Sequence, residues 1–204
     1  LYVPIVPDFD LAVPWEQARE WVRQAVEPLG EEYCRVADRA LTERWIDVYE
    51  NRGKRSGAYS SGCYDSPPYM LMNYQSTLSS AFTLAHELGH SLHSWFSNSP
   101  QPPLYAEYRI LVAEVASTLN EGLLLDYLLR TADDPRLRAY LLHHVCNGFR
   151  GTVFRQTMFA EFEKEIHRIV EDGGALTADV LSEHYRRLVD EYHGPGVSAD
   201  ERIG

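Results

Sequence analysis

Residues 77–96 read TLSSAFTLAHELGHSLHSWF, and within them His86, Glu87, Leu88, Gly89 and His90 form the pattern HExxH. The apolar residues recur at helical steps, so the stretch is expected to be a helix with Thr77 at its start. Residues four apart on a helix share one face at about 5–6 Å, so the imidazoles of His86 and His90 can reach one Zn²⁺ at about 2.0–2.1 Å. Glu87 points to the adjoining side, where a water on an open coordination position would lie. Two histidines and one carboxylate suit zinc and leave that fourth position open. The pattern alone also fits two partly exposed helix histidines beside an unrelated glutamate, and a third ligand decides between the readings.

The search for that ligand leads forward along the chain. About six helical residues follow His90, roughly 9 Å of rise, before the proline-rich run 98–103 (NSPQPP) stops the helix. A second helix, read over about 104–130, returns roughly 15 Å in ten residues and arrives near Glu114. Glu114 stands in the otherwise apolar run ILVAEVAS of residues 110–117. A buried carboxylate there is costly without a cation, whether that cation is a metal or a base such as Arg109. Glu107 and Glu121 are the alternatives on the same helix face. Glu107 sits close to the proline loop, and Glu121 suits a carboxylate that orients a ligand imidazole. His93, one turn past His90, is expected beside the site rather than in it. His143, His144, His167 and His184 have no ligand spacing to it and read as ordinary helix residues.

Upstream, an apolar, proline-punctuated lead (1–14) precedes two amphipathic helical segments, 15–29 and 31–50, divided by Gly30. In the second, Tyr33, Val36, Ala37, Ala40, Leu41, Trp45 and Val48 recur as one buried helix face requires. Residues 51–68 are rich in Gly, Ser and Pro and predict a loop. A short strand is expected near 57–60 and another near 69–74, together a β-hairpin. The backbone of Gly57, Ala58 and Tyr59 is the candidate for binding an extended peptide by strand addition. Downstream, Asp133, Asp134 and Pro135 open a long helical segment that Gly148 and Gly151 bend. Thr177 caps a last helix that Gly194 ends, and a polar close follows from Val197.

The 204 residues allow one full hydrophobic core, and one domain is the expectation. A composition of 45% hydrophobic and 24% charged residues is that of a soluble globular chain. A net charge of −11 without a basic stripe argues against nucleic acid. No apolar run reaches membrane-spanning length and no signal-peptide pattern opens the chain, so a cytoplasmic location without a membrane partner is expected. Cys34, Cys63 and Cys146 are odd in number and lack CxxC spacing, so free, mostly buried thiols are expected.

Five stretches, KRSGAY (54–59), PYMLMNY (68–74), TLAHELGHSLH (83–93), AEVAST (113–118) and FRQTMFAEF (154–162), occur in an order that resembles the oligoendopeptidase F family of thimet-oligopeptidase-like metallopeptidases. The resemblance implies a mainly α, zincin-like catalytic domain with a small β-sheet beside the active-site helix, an enclosed channel and oligopeptide substrates. It implies one Zn²⁺ held by His86, His90 and Glu114, with Glu87 as the general base that activates a water. In that family a later His-Phe-Tyr segment with further tyrosines stabilises the transition state, and a large helical region precedes the catalytic domain. Leu1 is not an initiator Met and the sequence stops at Gly204 before any such segment, so residues 1–204 are expected to be a catalytic-domain fragment that binds zinc with little activity alone. The rival expectations are a peptide-binding module with structural zinc and a metal-free helical interaction domain.

Overall fold

Helix α1 (Trp15–Ala25) buries Trp15, Ala18, Val22 and Ala25 at three- and four-residue steps, and a 3₁₀ turn (Glu27–Leu29) leads to Gly30 at φ 91°. In the computed structural model, Val6 and residues 11–197 are described. The lead before Leu11, apart from Val6, and the close after Val197 lie outside the described residues. Helix α2 (Glu31–Thr42) buries Val36, Ala37, Ala40 and Leu41, but it is shorter than the expected segment 31–50. The chain leaves the helix through Arg44, a left-handed residue at φ 65°, and Ile46–Asp47 form strand β1. The spacing of Trp45 and Val48 mimicked a helix face, yet their carbonyls accept from Met70 N (2.7 Å) and Tyr74 N (2.9 Å). Trp45 packs on Trp95 with ring centroids 5.3 Å apart, and the Arg39 guanidinium lies over both rings.

The expected hairpin is therefore a three-stranded sheet of order β1-β3-β2, with β2 at Tyr59–Ser61 and β3 at Tyr69–Leu71. Strand β3 runs parallel to β1 and antiparallel to β2, with Ser60 opposite Met70. Met70, Met72 and Tyr74 alternate into the core, and Tyr74 Oη donates to Val13 O at 2.7 Å.

Helix α3 (Leu78–Asn98) starts where expected, with Thr77 Oγ1 accepting from Ser80 N at 3.1 Å. It buries Leu78, Ala81, Phe82, Leu84, Ala85, Leu88 and Leu92, too wide an apolar arc for a surface helix, and α1, α2, the sheet and the next long helix all pack on it. That next helix is not continuous from residue 104. A single turn, α4 (Pro103–Ala106), is followed by extended backbone at Glu107 and Arg109 before α5 (Ile110–Thr131) begins. Contacts to α3 hold the break: Ser97 Oγ donates to Ala106 O at 2.7 Å, Tyr108 stacks on His93 at 3.8 Å, and its hydroxyl lies 2.5 Å from Ser94 Oγ.

Helix α5 turns Ala113, Ser117, Asn120, Leu124 and Leu128 inward. Buried Asn120 ties three helices: Tyr33 Oη on α2 donates to its Oδ1 at 3.0 Å, and its Nδ2 donates to Ala85 O on α3 at 3.2 Å. Burial pushes the Tyr33 hydroxyl up to about 12, so it stays a neutral donor.

The chain divides into two compact units, Leu1–Leu141 and Leu142–Gly204. Helix α6 (Pro135–Phe149) crosses the boundary in sequence, with Asp134 Oδ1 accepting from Arg136 N at 2.8 Å. The expected bend near Gly148 and Gly151 is a π-helical turn at Arg150–Phe154, continuous with α7 (Arg155–Glu171). In the second unit, α7 and α8 (Ala178–His193) close a small core of Met158, Leu188 and Val189. Thr177 Oγ1 accepts from Val180 N, and Gly194 at φ 68° ends α8. The fold is mainly α with one small sheet, as expected.

The three cysteines are free, but Cys63 and Cys146 are exposed rather than buried, since Cys63 lies in the loop after β2 and Cys146 on α6, which buries only Leu141. Among the described residues no helix is long and apolar enough to cross a membrane.

Candidate metal centre

α3 and α5 cross so closely that a Cβ on Gly89 would lie 2.7 Å from Ser117 Cα and 2.8 Å from Ala116 O. Only a residue without a side chain permits this approach, and it sets Glu114, one turn before Ser117, opposite the HExxH face. His86 Nε2 and His90 Nε2 are 3.0 Å apart. Glu114 Oε2 lies 3.5 Å from His86 Nε2, and its Oε1 lies 3.8 Å from His90 Nε2. Among the described residues, His86, His90 and Glu114 form the group whose ligand atoms fall within 4.8 Å of one another. Bonds of 2.0–2.1 Å in a tetrahedron require donors about 3.3 Å apart, and these separations bracket that value. The donor set therefore fits a zinc-sized cation.

The tautomers fit as well. His86 Nδ1 lies 2.6 Å from Glu121 Oε1; a carboxylate only accepts, so Nδ1 carries the proton and Nε2 presents its lone pair. This hydrogen bond raises the pKa of His86 against the opposing effect of burial. Burial, and then the neighbouring His86, lower that of His90, which favours a neutral imidazole at His90. Ser117, fully buried, donates to Glu114 Oε2 at 2.9 Å and fixes the rotamer of that carboxylate.

Glu114 itself is not the buried carboxylate that its apolar surroundings suggested: its side chain is 47% exposed. Ile110, Leu111, Val115 and Leu119 around it are exposed too, because α5 turns only its Ala113–Ser117–Asn120 stripe toward α3. Glu107 lies in the extended break, off the helix face on which it was weighed as an alternative.

Glu87 is the buried acid of the site, 6% exposed, with Oε2 lacking any hydrogen-bond partner. Burial pushes its carboxyl above the usual range, an effect that the neighbouring His86 imidazole partly offsets. Of the expected peptide-binding trio only Tyr59 lies in strand β2. Gly57 takes φ 88°, its carbonyl and that of Arg55 accept from Asn73 Nδ2 at 2.8 Å each, Ala58 packs against the core and Tyr59 is exposed. His93 stacks on Tyr108, burial lowers its pKa, and its buried Nδ1 has no partner.

Sequence reasoning passed over Gly89, Ser60, Ser91, Ser117 and Asn120. The small residues Ala113, Ala116 and Ser117 on α5, opposite Gly89, were the available signal of a close helix crossing.

Glu121→Ala should lower zinc affinity about 10–100-fold, the range for residues that orient a ligand imidazole. Competition titration against a chelator reads this directly, and unchanged affinity would remove Glu121 from the site.

Residues 14–204 match the model of peptidase family M3. The chain is 50% identical to oligopeptidase PepF of Bacillus subtilis over 204 residues, covering all of this chain and 30% of that protein. It is 45% identical to group B oligopeptidase PepB of Streptococcus agalactiae over 194 residues, 95% of this chain and 32% of the relative. The crystal structure of oligoendopeptidase-F from Enterococcus faecium superposes with a TM-score of 0.63 at 36% identity, over 99% of this chain and 28% of that one. The chain thus spans about a third of the length of the curated relatives it matches.

Proposed function

Because this chain belongs to peptidase family M3, we propose that it carries the metal-binding and water-activating part of a zinc metalloendopeptidase acting on oligopeptides. His86, His90 and Glu114 hold the zinc, Glu121 fixes the His86 tautomer, and Ser117 holds the Glu114 carboxylate. Zinc bound there supplies Lewis acidity, bringing the pKa of a water toward neutrality and polarising the scissile carbonyl. Glu87, through Oε2, the oxygen left without a partner, would take the proton from the attacking water and pass it to the leaving amine. The edge strand β2 offers the backbone against which an extended peptide lies. The observation that carries this reading is the buried Glu87 carboxylate, with Oε2 unpartnered, next to a His-His-Glu group whose ligand atoms lie within 4.8 Å of one another.

Metal analysis of the purified full-length protein carrying this chain should give close to one zinc per chain. Chelation should abolish cleavage of an unstructured peptide, and added zinc should restore it. Cleavage that survives complete metal removal would refute the proposal.

A further inference from the structure

The polar segment between β1 and β2 carries a buried charge. The Lys54 side chain is 6% exposed, and its Nζ donates to Asp47 O at 3.0 Å and to Tyr49 O at 2.7 Å, with Asp47 Oδ2 at 3.2 Å. Three oxygens therefore meet the three donors of the ammonium. Asp47 O also accepts from Met72 N at 2.9 Å, so Lys54 is fastened to the ladder between β1 and β3 itself. Taking an ammonium out of water carries a penalty that an apolar side chain would avoid, so closing the loop does not by itself account for a lysine here.

A second fastening comes from the end of β3. Met72 and Tyr74 turn inward, so Asn73 between them points to the outer face, where its Nδ2 donates to Arg55 O and Gly57 O at 2.8 Å each. The chain turns toward β2 through Gly57 at φ 88°, and a glycine is free to swing there unless it is held. Beyond that turn, Ser60 Oγ lies 2.7 Å from Ser91 Oγ and docks β2 on α3. In the order β1-β3-β2, the outer edge of β2 has no neighbouring strand among the described residues. Met70 N–H is committed to Trp45 O on β1, which makes Ser60–Met70 a non-hydrogen-bonded pair and turns the backbone N–H and C=O of Ser60 away from β3.

We propose that Lys54 and Asn73 form a two-point clasp that sets the edge strand β2 for an extended peptide. Lys54 pins the loop to the end of β1, and Asn73 pins the two carbonyls on either side of Ser56, so the chain enters β2 along one path. Both are positioning residues that act through residues 57–61. The substrate side of this proposal rests on the peptidase reading, whereas the clasp itself is a statement about the loop.

Trypsin reads the clasp without any turnover, because Arg52 and Arg55 flank Lys54 and are exposed. In the full-length protein carrying this chain, Lys54→Met and Asn73→Ala should each speed nicking after Arg52 or Arg55 by about tenfold, the effect of losing a charge-assisted hydrogen bond or two neutral ones from a locally opening segment. In cleavage of an unstructured peptide, each should raise KM about five- to tenfold with kcat within about twofold, the pattern of lost binding shared by ground and transition states. A change that only loosened the fold would lower the active fraction, and with it kcat, and leave KM in place. The double variant should lose no more than about either single one, since the segment is held only while both points are fastened. Unchanged nicking in both variants overturns the clasp. Faster nicking with the parental KM overturns its part in placing β2 for substrate, and so do KM increases that multiply in the double variant. A protein that cleaves no peptide refutes the peptidase reading, while nicking still decides the clasp.

Discussion

Glu87→Gln is expected to lower kcat for an unstructured peptide by about 10²–10⁴, the usual contribution of a general acid–base group, while zinc content and thermal stability hold. The amide keeps the shape of the side chain, but it cannot take a proton from water. Fold stability should not suffer, because the substitution removes a carboxylate that is 6% exposed with one oxygen unpaired. The pairing of outcomes is the discriminating part. A zinc that only stabilises the fold predicts that Glu87→Gln changes nothing in turnover, and equal rates for parent and variant would remove Glu87 from the chemistry.

Gly89→Ala should be the most damaging single-methyl change in the first unit. In an open helix, Ala in place of Gly stabilises by about 0.5–1 kcal/mol. Here the new Cβ would stand 2.7 Å from Ser117 Cα and 2.8 Å from Ala116 O, and these are backbone atoms of a packed helix that cannot rotate aside. Overpacking of this kind costs about 1–3 kcal/mol. The relief available is to move α5 off α3, which carries Glu114 away from the two imidazoles, and zinc affinity should fall about 10–100-fold. Gly122→Ala is the matched control: its Cβ would meet nothing, so the melting temperature should hold or rise and zinc binding should be unaffected. If Gly89→Ala bound zinc as tightly as the parent, the close crossing would not be what places Glu114.

Much of this centre was legible in the residues because it depends on local periodicity. The four-residue spacing of His86 and His90 puts both on one face whatever packs around them, and the length of the turn between two helices brings Glu114 back to their level. Two misreadings share one cause. The Trp45 and Val48 spacing suited a helix, but Arg44 in a left-handed conformation turned the chain into a strand that pairs with β3. The apolar run around Glu114 suggested burial, but exposure depends on what α5 packs against, and α3 covers only its small-residue stripe.

The sequence by itself determined the helix that carries His86, Glu87 and His90, the return to Glu114 and the mainly helical class, because helical periodicity and proline breaks act within a few residues. Tertiary structure alone decided how the site is tuned. That Glu121 takes Nδ1 of His86 and that Ser60 Oγ meets Ser91 Oγ follow from the α3–α5 crossing and the register of β2. Each of these contacts joins residues whose approach is fixed by packing between elements rather than by spacing along one.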